Sequence, residues 1–128
     1  MTRERVSSGT DWEAHAGYSR AVAVDGQVHV AGTTPVDEDG AVIGDDPYEQ
    51  TVAALEIVEG ALAEVDAALD DVVRTRLYVT DIDDYDAVGR AHGEFFSDVR
   101  PATTMVEGAR LVDADFAVEV EATAVRTD

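Results

Sequence analysis

Apolar positions follow two rhythms along this chain. Between residues 18 and 34 they recur every second residue: Val22, Val24, Val28 and Val30 flank Asp25-Gly26. Side chains alternate faces along a strand, and Asp-Gly between two alternating runs is the short-range signature of a β-hairpin. The pattern predicts antiparallel strands over 18–25 and 27–34. Asp37-Glu38-Asp39-Gly40 marks a further turn, with Ala41-Val42-Ile43 as a short extended piece. The rhythm then changes. Val52, Leu55, Val58, Leu62 and Val65 recur every three or four residues, with Glu49, Glu56, Glu59 and Glu64 largely off that stripe. This is the spacing of an amphipathic helix, started by Asp46 and Pro47 and closed by Asp66 in a left-handed conformation. Residues 72–80 are rich in β-branched side chains and predict a strand. Asp81 to Asp84 offer caps for a second helix over 84–96, and 103–110 and 116–125 read as two last strands.

Two long helices among these strands predict an α+β domain, a mixed sheet with both helices on one face. The alternation sorts the sheet into two surfaces. Val118, Val120, Ala122 and Ala124 share one face with Thr75, Leu77, Val79, Val28 and Val30, which should meet the helices. Glu119, Glu121, Thr123, Arg74, Arg76, Tyr78 and His29 share the other. That polar surface is either a solvated face with cross-strand ion pairs or a subunit interface enclosing a polar pocket. Residues 1–16 are polar around one tryptophan and read as a loose N-terminal arm, leaving 17–128 as one domain.

Composition narrows the function. The chain has 128 residues, with 28 Asp and Glu against 9 basic residues and a net charge of −19; all nine basic residues are arginine and none is lysine. Such a charge repels phosphate backbones, so no nucleic-acid partner is expected. No apolar run reaches the roughly 20 residues of a membrane span, and the N-terminus shows no secretory h-region. A cytoplasmic protein is the expectation. With no cysteine there is no disulfide, thiolate metal site or cysteine nucleophile. Acid excess without lysine resembles halophilic composition, since at about 1 M salt the Debye length falls to about 3 Å and dense carboxylates barely repel.

The usual catalytic and metal patterns are missing from the sequence. His15, His29 and His92 are far apart and read as structural. The acidic clusters at 37–39 and 81–86 lack a calcium-loop pattern and read as turns and caps. Neither a phosphate loop nor a G-x-S-x-G elbow occurs. What is left is a carboxylate, an arginine or a tyrosine acting in a pocket.

Five stretches then point to one family. Gly17-Tyr18-Ser19-Arg20-Ala21-Val22 resembles G-P-Y-S-Q-A-V, and Val30-Ala31-Gly32-Thr33-Thr34-Pro35 is similar to the strand end S-G-Q-x-P. Asp71-Val72-Val73-Arg74-Thr75 with Tyr78-Val79-Thr80-Asp81 resembles D-V-V-K-T…L-T-D. Pro101-Ala102-Thr103-Thr104 and Val118-Glu119-Val120-Glu121-Ala122 resemble P-A-R-S/T and V-E-I-E-A. The chain thus resembles the Rid/YjgF family, the reactive intermediate deaminases, over roughly residues 16–125.

The resemblance implies a chorismate-mutase-like two-layer fold. It also implies a homotrimer with a central β-barrel and small-molecule pockets between subunits, in which reactive enamines or imines are hydrolysed without a cofactor. It assigns Glu119 as the general base that activates water. Tyr18, Gly32, Thr33, Met105 and Glu121 follow as substrate-binding residues. One position departs from the pattern: Thr103 stands where deaminating members carry the arginine that clamps a substrate carboxylate. A threonine supplies no positive charge and no planar fork. Gly89 likewise replaces an asparagine. Arg100, Arg76 and Arg20 are the candidates to restore the charge, against the alternative that each is salt-bridged. The expected function is a deaminase-like hydrolase acting on a small enamine, imine or related metabolite. The alternative is a non-catalytic ligand-binding or regulatory trimer. A ribonuclease role fits poorly with the charge.

Overall fold

Residues 3–126 are described by a computed structural model and are organised by one six-stranded sheet. In chain order the elements are β1 (Glu4–Val6), α1 (Asp11–Ala16), β2 (Ala21–Val24), β3 (Gln27–Thr33), α2 (Pro47–Ala63), β4 (Val72–Val79), α3 (Tyr85–Phe96), β5 (Ala102–Glu107) and β6 (Val118–Val125). The strand order is β1-β2-β3-β6-β4-β5, with β4 and β5 parallel and every other pair antiparallel. This is the α+β mixed sheet expected. The final strand inserts between the two halves, so β6 is flanked by β3 and β4.

Local chemistry sets the element ends. Asp25 and Gly26 have φ of 53° and 80°, the two left-handed positions that a two-residue hairpin turn requires. The Asp46 side chain accepts a hydrogen bond from the Glu49 N–H at 2.8 Å and caps α2, with Pro47 in the first turn. At the other end Asp66 is left-handed (φ 60°), and the Ala67 N–H reaches back to the Leu62 carbonyl at 2.9 Å. That six-to-one bond closes the helix end as the sequence suggested, although α2 itself stops at Ala63. Asp81 caps a 3-10 turn over Ile82–Asp84 rather than α3 directly, so the second long helix begins one residue later than expected.

The core lies between the inner sheet face and the helices. Leu55, Val58 and Leu62 of α2 and Val88 and Phe96 of α3 are buried against Val28, Val30, Leu77, Val79, Val118 and Val120. Each such side chain contributes about 1.5–3 kcal/mol on leaving water. The buried face of α2 is turned slightly from the predicted stripe: Ala53, Ala54 and Ala61 are buried while Val52 is half-buried. In β2 the inward residues are likewise Ala21 and Ala23, and Val22 and Val24 face the other way, half-buried.

The N-terminal segment departs from a loose arm. β1 pairs with β2 and buries Val6. Thr10 caps α1 by accepting from the Glu13 N–H, and Gly17 (φ 80°) ends it. Glu13 is buried, accepting from the Ser7 hydroxyl at 3.2 Å and the Ser8 N–H at 3.1 Å. The 41–43 piece makes only a single bridge, Val36 to Val42.

Candidate functional site

Two β-bulges decide which side chains meet. Between Val30↔Ala122 and Thr33↔Val120, β3 spends three residues where β6 spends two. Ala31 and Gly32 both lie opposite Glu121, and Thr33 returns to the inner face. Its hydroxyl is fully buried and donates to the Ala31 carbonyl at 2.8 Å. Thr33 therefore lies behind the polar surface rather than on it. A second bulge at Val73 keeps Thr75, Leu77 and Val79 inward and leaves Arg74, Arg76 and Tyr78 on the open face.

The open face carries the first cluster. Glu119 lies on β6 in a half-buried position beside Gly32. A Cβ at residue 32 would come within 2.0 Å of Glu119 Oε2, so glycine is what leaves room for that carboxylate. Arg20 Nη2 donates to the Gly32 carbonyl at 2.6 Å, and its buried Nε has no partner. Burial pushes the Glu119 carboxyl above the usual carboxylate range; Arg20 pulls it back and Glu121 adds to the rise. Glu121 accepts a hydrogen bond from the Tyr78 hydroxyl, and that bond, with burial, raises the Tyr78 phenol. Arg76 faces Glu121 across the strands but is exposed. Tyr18 is exposed, 5.9 Å from the Arg20 guanidinium, and shares a cleft of about 690 Å3 with Arg3, Arg5, His29 and Glu121.

The second cluster lies on the helix side of the β5 edge. Thr103 pairs in register with Thr75, and Met105 with Leu77. The Thr75 hydroxyl is fully buried, 2.9 Å from His92 Nε2 and 2.8 Å from the Thr103 hydroxyl, which also donates to the Pro101 carbonyl at 3.1 Å. His92 packs on Phe96 with centroids 4.7 Å apart, and burial lowers its pKa. Met105 is half-buried against the core. Arg100, in a left-handed conformation (φ 55°) beyond α3, is exposed on a cleft of about 410 Å3 with His92, Ser97 and Pro101.

The predicted residues thus divide. Tyr18, Gly32, Glu119, Glu121 and Arg76 share the open face; Thr103, Met105 and Arg100 lie at the opposite face of the β5 edge. Among the described residues the one ion pair within 4.0 Å joins Arg126 to Glu4 at 3.8 Å. Among the described residues, Arg20, Arg76 and Arg100 are therefore not held by the carboxylate pairs weighed as their alternative. Tyr78, read only as a residue of the polar face, and His92, read as structural, join the clusters although neither was proposed for the site. The Tyr78 signal was its strand face; nothing in the sequence linked His92 to Thr75. Among the described residues no three His, Asp or Glu side chains gather as a metal set, and no helix is long and apolar enough to cross a membrane.

The six-stranded mixed sheet with its two long helices is an α+β architecture shared with solved structures on which this chain superposes. The model of the endoribonuclease L-PSP family matches residues 9–126, and the chain belongs to that family, which is the YjgF or Rid family of the resemblance above. The solved structure of Rv2704 from Mycobacterium tuberculosis, described as a member of the YjgF/YER057c/UK114 family, superposes with a TM-score of 0.90 at 46% identity, covering 97% of this chain and 99% of that one. The Streptomyces coelicolor protein SCO2049 is 43% identical over 98% of this chain and 96% of its own. A relative from Acinetobacter baylyi named 3-aminoacrylate deaminase RutC is 32% identical over 85% of this chain and 86% of its own.

Proposed function

We propose that this chain is a deaminase-like hydrolase of small reactive enamines or imines, acting in pockets completed by further copies of itself in a homotrimer. The observation that carries it is Glu119: half-buried, seated in space left by Gly32, beside a cation, with its pKa raised toward that of a working base. In this reading the enamine tautomerises to its imine, and Glu119 takes a proton from water as the water oxygen bonds to the imine carbon. The nitrogen, protonated in turn, leaves as ammonia when the carbon–nitrogen bond breaks, and a carbonyl product remains. The residues supply the acid and base, and the reading needs no cofactor.

The division of the site supports self-association. The β5 strand is exposed along most of its length, and the open face carries half-buried Val22 and Tyr78 and exposed Val106. A second copy laid against that surface brings one subunit's Thr103 edge toward another's Glu119 face. The relative named a 3-aminoacrylate deaminase supports the reaction class. The net charge of −19 weighs against a nucleic-acid substrate and, with lysine absent, supports a salt-rich cytoplasm as the working place.

Ammonia release from freshly generated 2-aminoacrylate and from its carboxamide tests the reading, with light scattering in high salt for the assembly. The chain should accelerate release from at least one of them, and Glu119→Gln should lower that rate on the order of 100-fold or more. Rates no faster than buffer with both compounds would leave the non-catalytic ligand-binding trimer in its place.

A further inference from the structure

A hydroxyl has one proton and two lone pairs, so a chain of hydroxyls closed at one end has few ways to distribute its protons. Such a chain runs from His92 Nε2 through the Thr75 hydroxyl to the Thr103 hydroxyl and on to the Pro101 carbonyl, with spacings of 2.9, 2.8 and 3.1 Å. Thr75 is fully buried, so its proton must go to one of two neighbours. If His92 carries a proton on Nε2, it donates to Thr75, Thr75 donates to Thr103, and Thr103 donates to Pro101. If Nε2 is bare, Thr75 donates to the ring and Thr103 donates to Thr75. In both arrangements the Thr103 proton is engaged inside the protein, and what this exposed residue turns outward is a lone pair.

We propose that Thr103 is a specificity-determining acceptor: it selects, at that end of the pocket, ligands bearing an N–H donor such as a carboxamide, and disfavours a carboxylate. The proposal rests on the deaminase reading for its placement in the pocket and deepens it by naming the substrate class. An acceptor facing a carboxylate leaves two sets of lone pairs opposed, whereas an amide N–H completes the chain. A carboxylate binds only after Thr103 turns its proton outward and gives up an internal bond. Arg100 does not reverse this locally. It lines the cleft with His92, Ser97 and Pro101, and Thr103 is not part of that lining.

A matched pair of substrates, 2-aminoacrylate and 2-aminoacrylamide, differs only at the group in question. For the unaltered protein kcat/KM should favour the amide by at least about tenfold, the difference made by one hydrogen bond to a neutral partner. Thr103→Ser should keep the preference, and Thr103→Val should bring the ratio near one; the residue is exposed, so neither change threatens the core. Equal or better use of the carboxylate would overturn the inference and leave the deaminase reading standing. If neither compound is turned over, that reading fails, and the inference is decided by NMR titration with pyruvamide and pyruvate. Binding of pyruvamide at least tenfold tighter supports it. Equal binding, the reverse order, or binding of neither overturns it.

Discussion

The two faces of the sheet handle polarity in opposite ways. On the helix side, Thr33, Thr75, Thr103 and His92 carry no formal charge at neutral pH, and their hydrogen bonds run to one another or to backbone carbonyls. On the open side, Glu119, Glu121, Arg20, Arg74 and Arg76 are charged groups with few direct partners, and the Nε atoms of Arg20 and Arg74 have none. Against the core a polar group survives only when satisfied, because an orphaned buried hydroxyl costs about 1–3 kcal/mol. On the open face the same economy is absent. Under the proposed function, those half-paired charges are what a ligand or a neighbouring subunit would meet. The contrast separates an uncharged, internally satisfied cluster that includes Thr103 from a charged one that includes Glu119, and the proposed pocket draws on both.

Substitutions on each side should therefore move different readouts. The largest effect is the activity loss expected for Glu119→Gln, which should come with no loss of stability. Burial raises the Glu119 pKa above 4.5, so the folded state binds more protons than the unfolded one in that range, and stability falls as pH rises through it. The glutamine should thus unfold at an equal or higher temperature than the parent at neutral pH, with the two melting curves converging under acid. A lower melting temperature would place Glu119 among the structural groups instead.

Thr75→Val reverses the pattern. It keeps the volume but strips His92 and Thr103 of their shared partner, and should destabilise by about 1–3 kcal/mol in urea titration. Gly32→Ala comes next. Its Cβ would displace the Glu119 carboxylate, so the rate should drop on the order of tenfold while the urea midpoint barely shifts. The smallest effect is that of pH on His92. Burial holds its pKa below 6.5, so the unfolded state binds the extra proton first, and stability present above 6.5 erodes on acidification below it. An imidazole resonance titrating at or above 6.5 would contradict the burial assigned to this ring.

Much of the frame was legible. Asp25-Gly26, the Asp46-Pro47 start and the Asp66 ending of α2 follow from residue chemistry that acts within a few positions, and each lies where expected. The short β1 escaped notice because Glu4–Val6 spans too few residues to show a period, and because its value lies in pairing with a strand some 15 positions onward. The Thr10 cap and Gly17 stop of α1 were visible in principle, but no apolar stripe joined them. Facing on the open side was read correctly wherever alternation held, as at Glu119, Glu121 and Tyr78. Thr33 was misplaced because a bulge breaks alternation without leaving a mark in hydrophobicity. The link from His92 to Thr75 was invisible because it joins a helix to a strand through tertiary packing alone.

That bulge has a consequence of its own. Since β3 uses three residues where β6 uses two, excising Ala31 would restore ordinary alternation, leaving Val28, Val30 and Thr33 still directed at the helices. The shortened chain would keep its oily layer but lose the Ala31 N–H that donates to the Arg20 carbonyl at 2.9 Å and the Ala31 carbonyl that accepts from the buried Thr33 hydroxyl. One peptide unit thus serves both sides of the sheet at once, satisfying Thr33 behind it and tethering the Arg20 backbone beside Glu119.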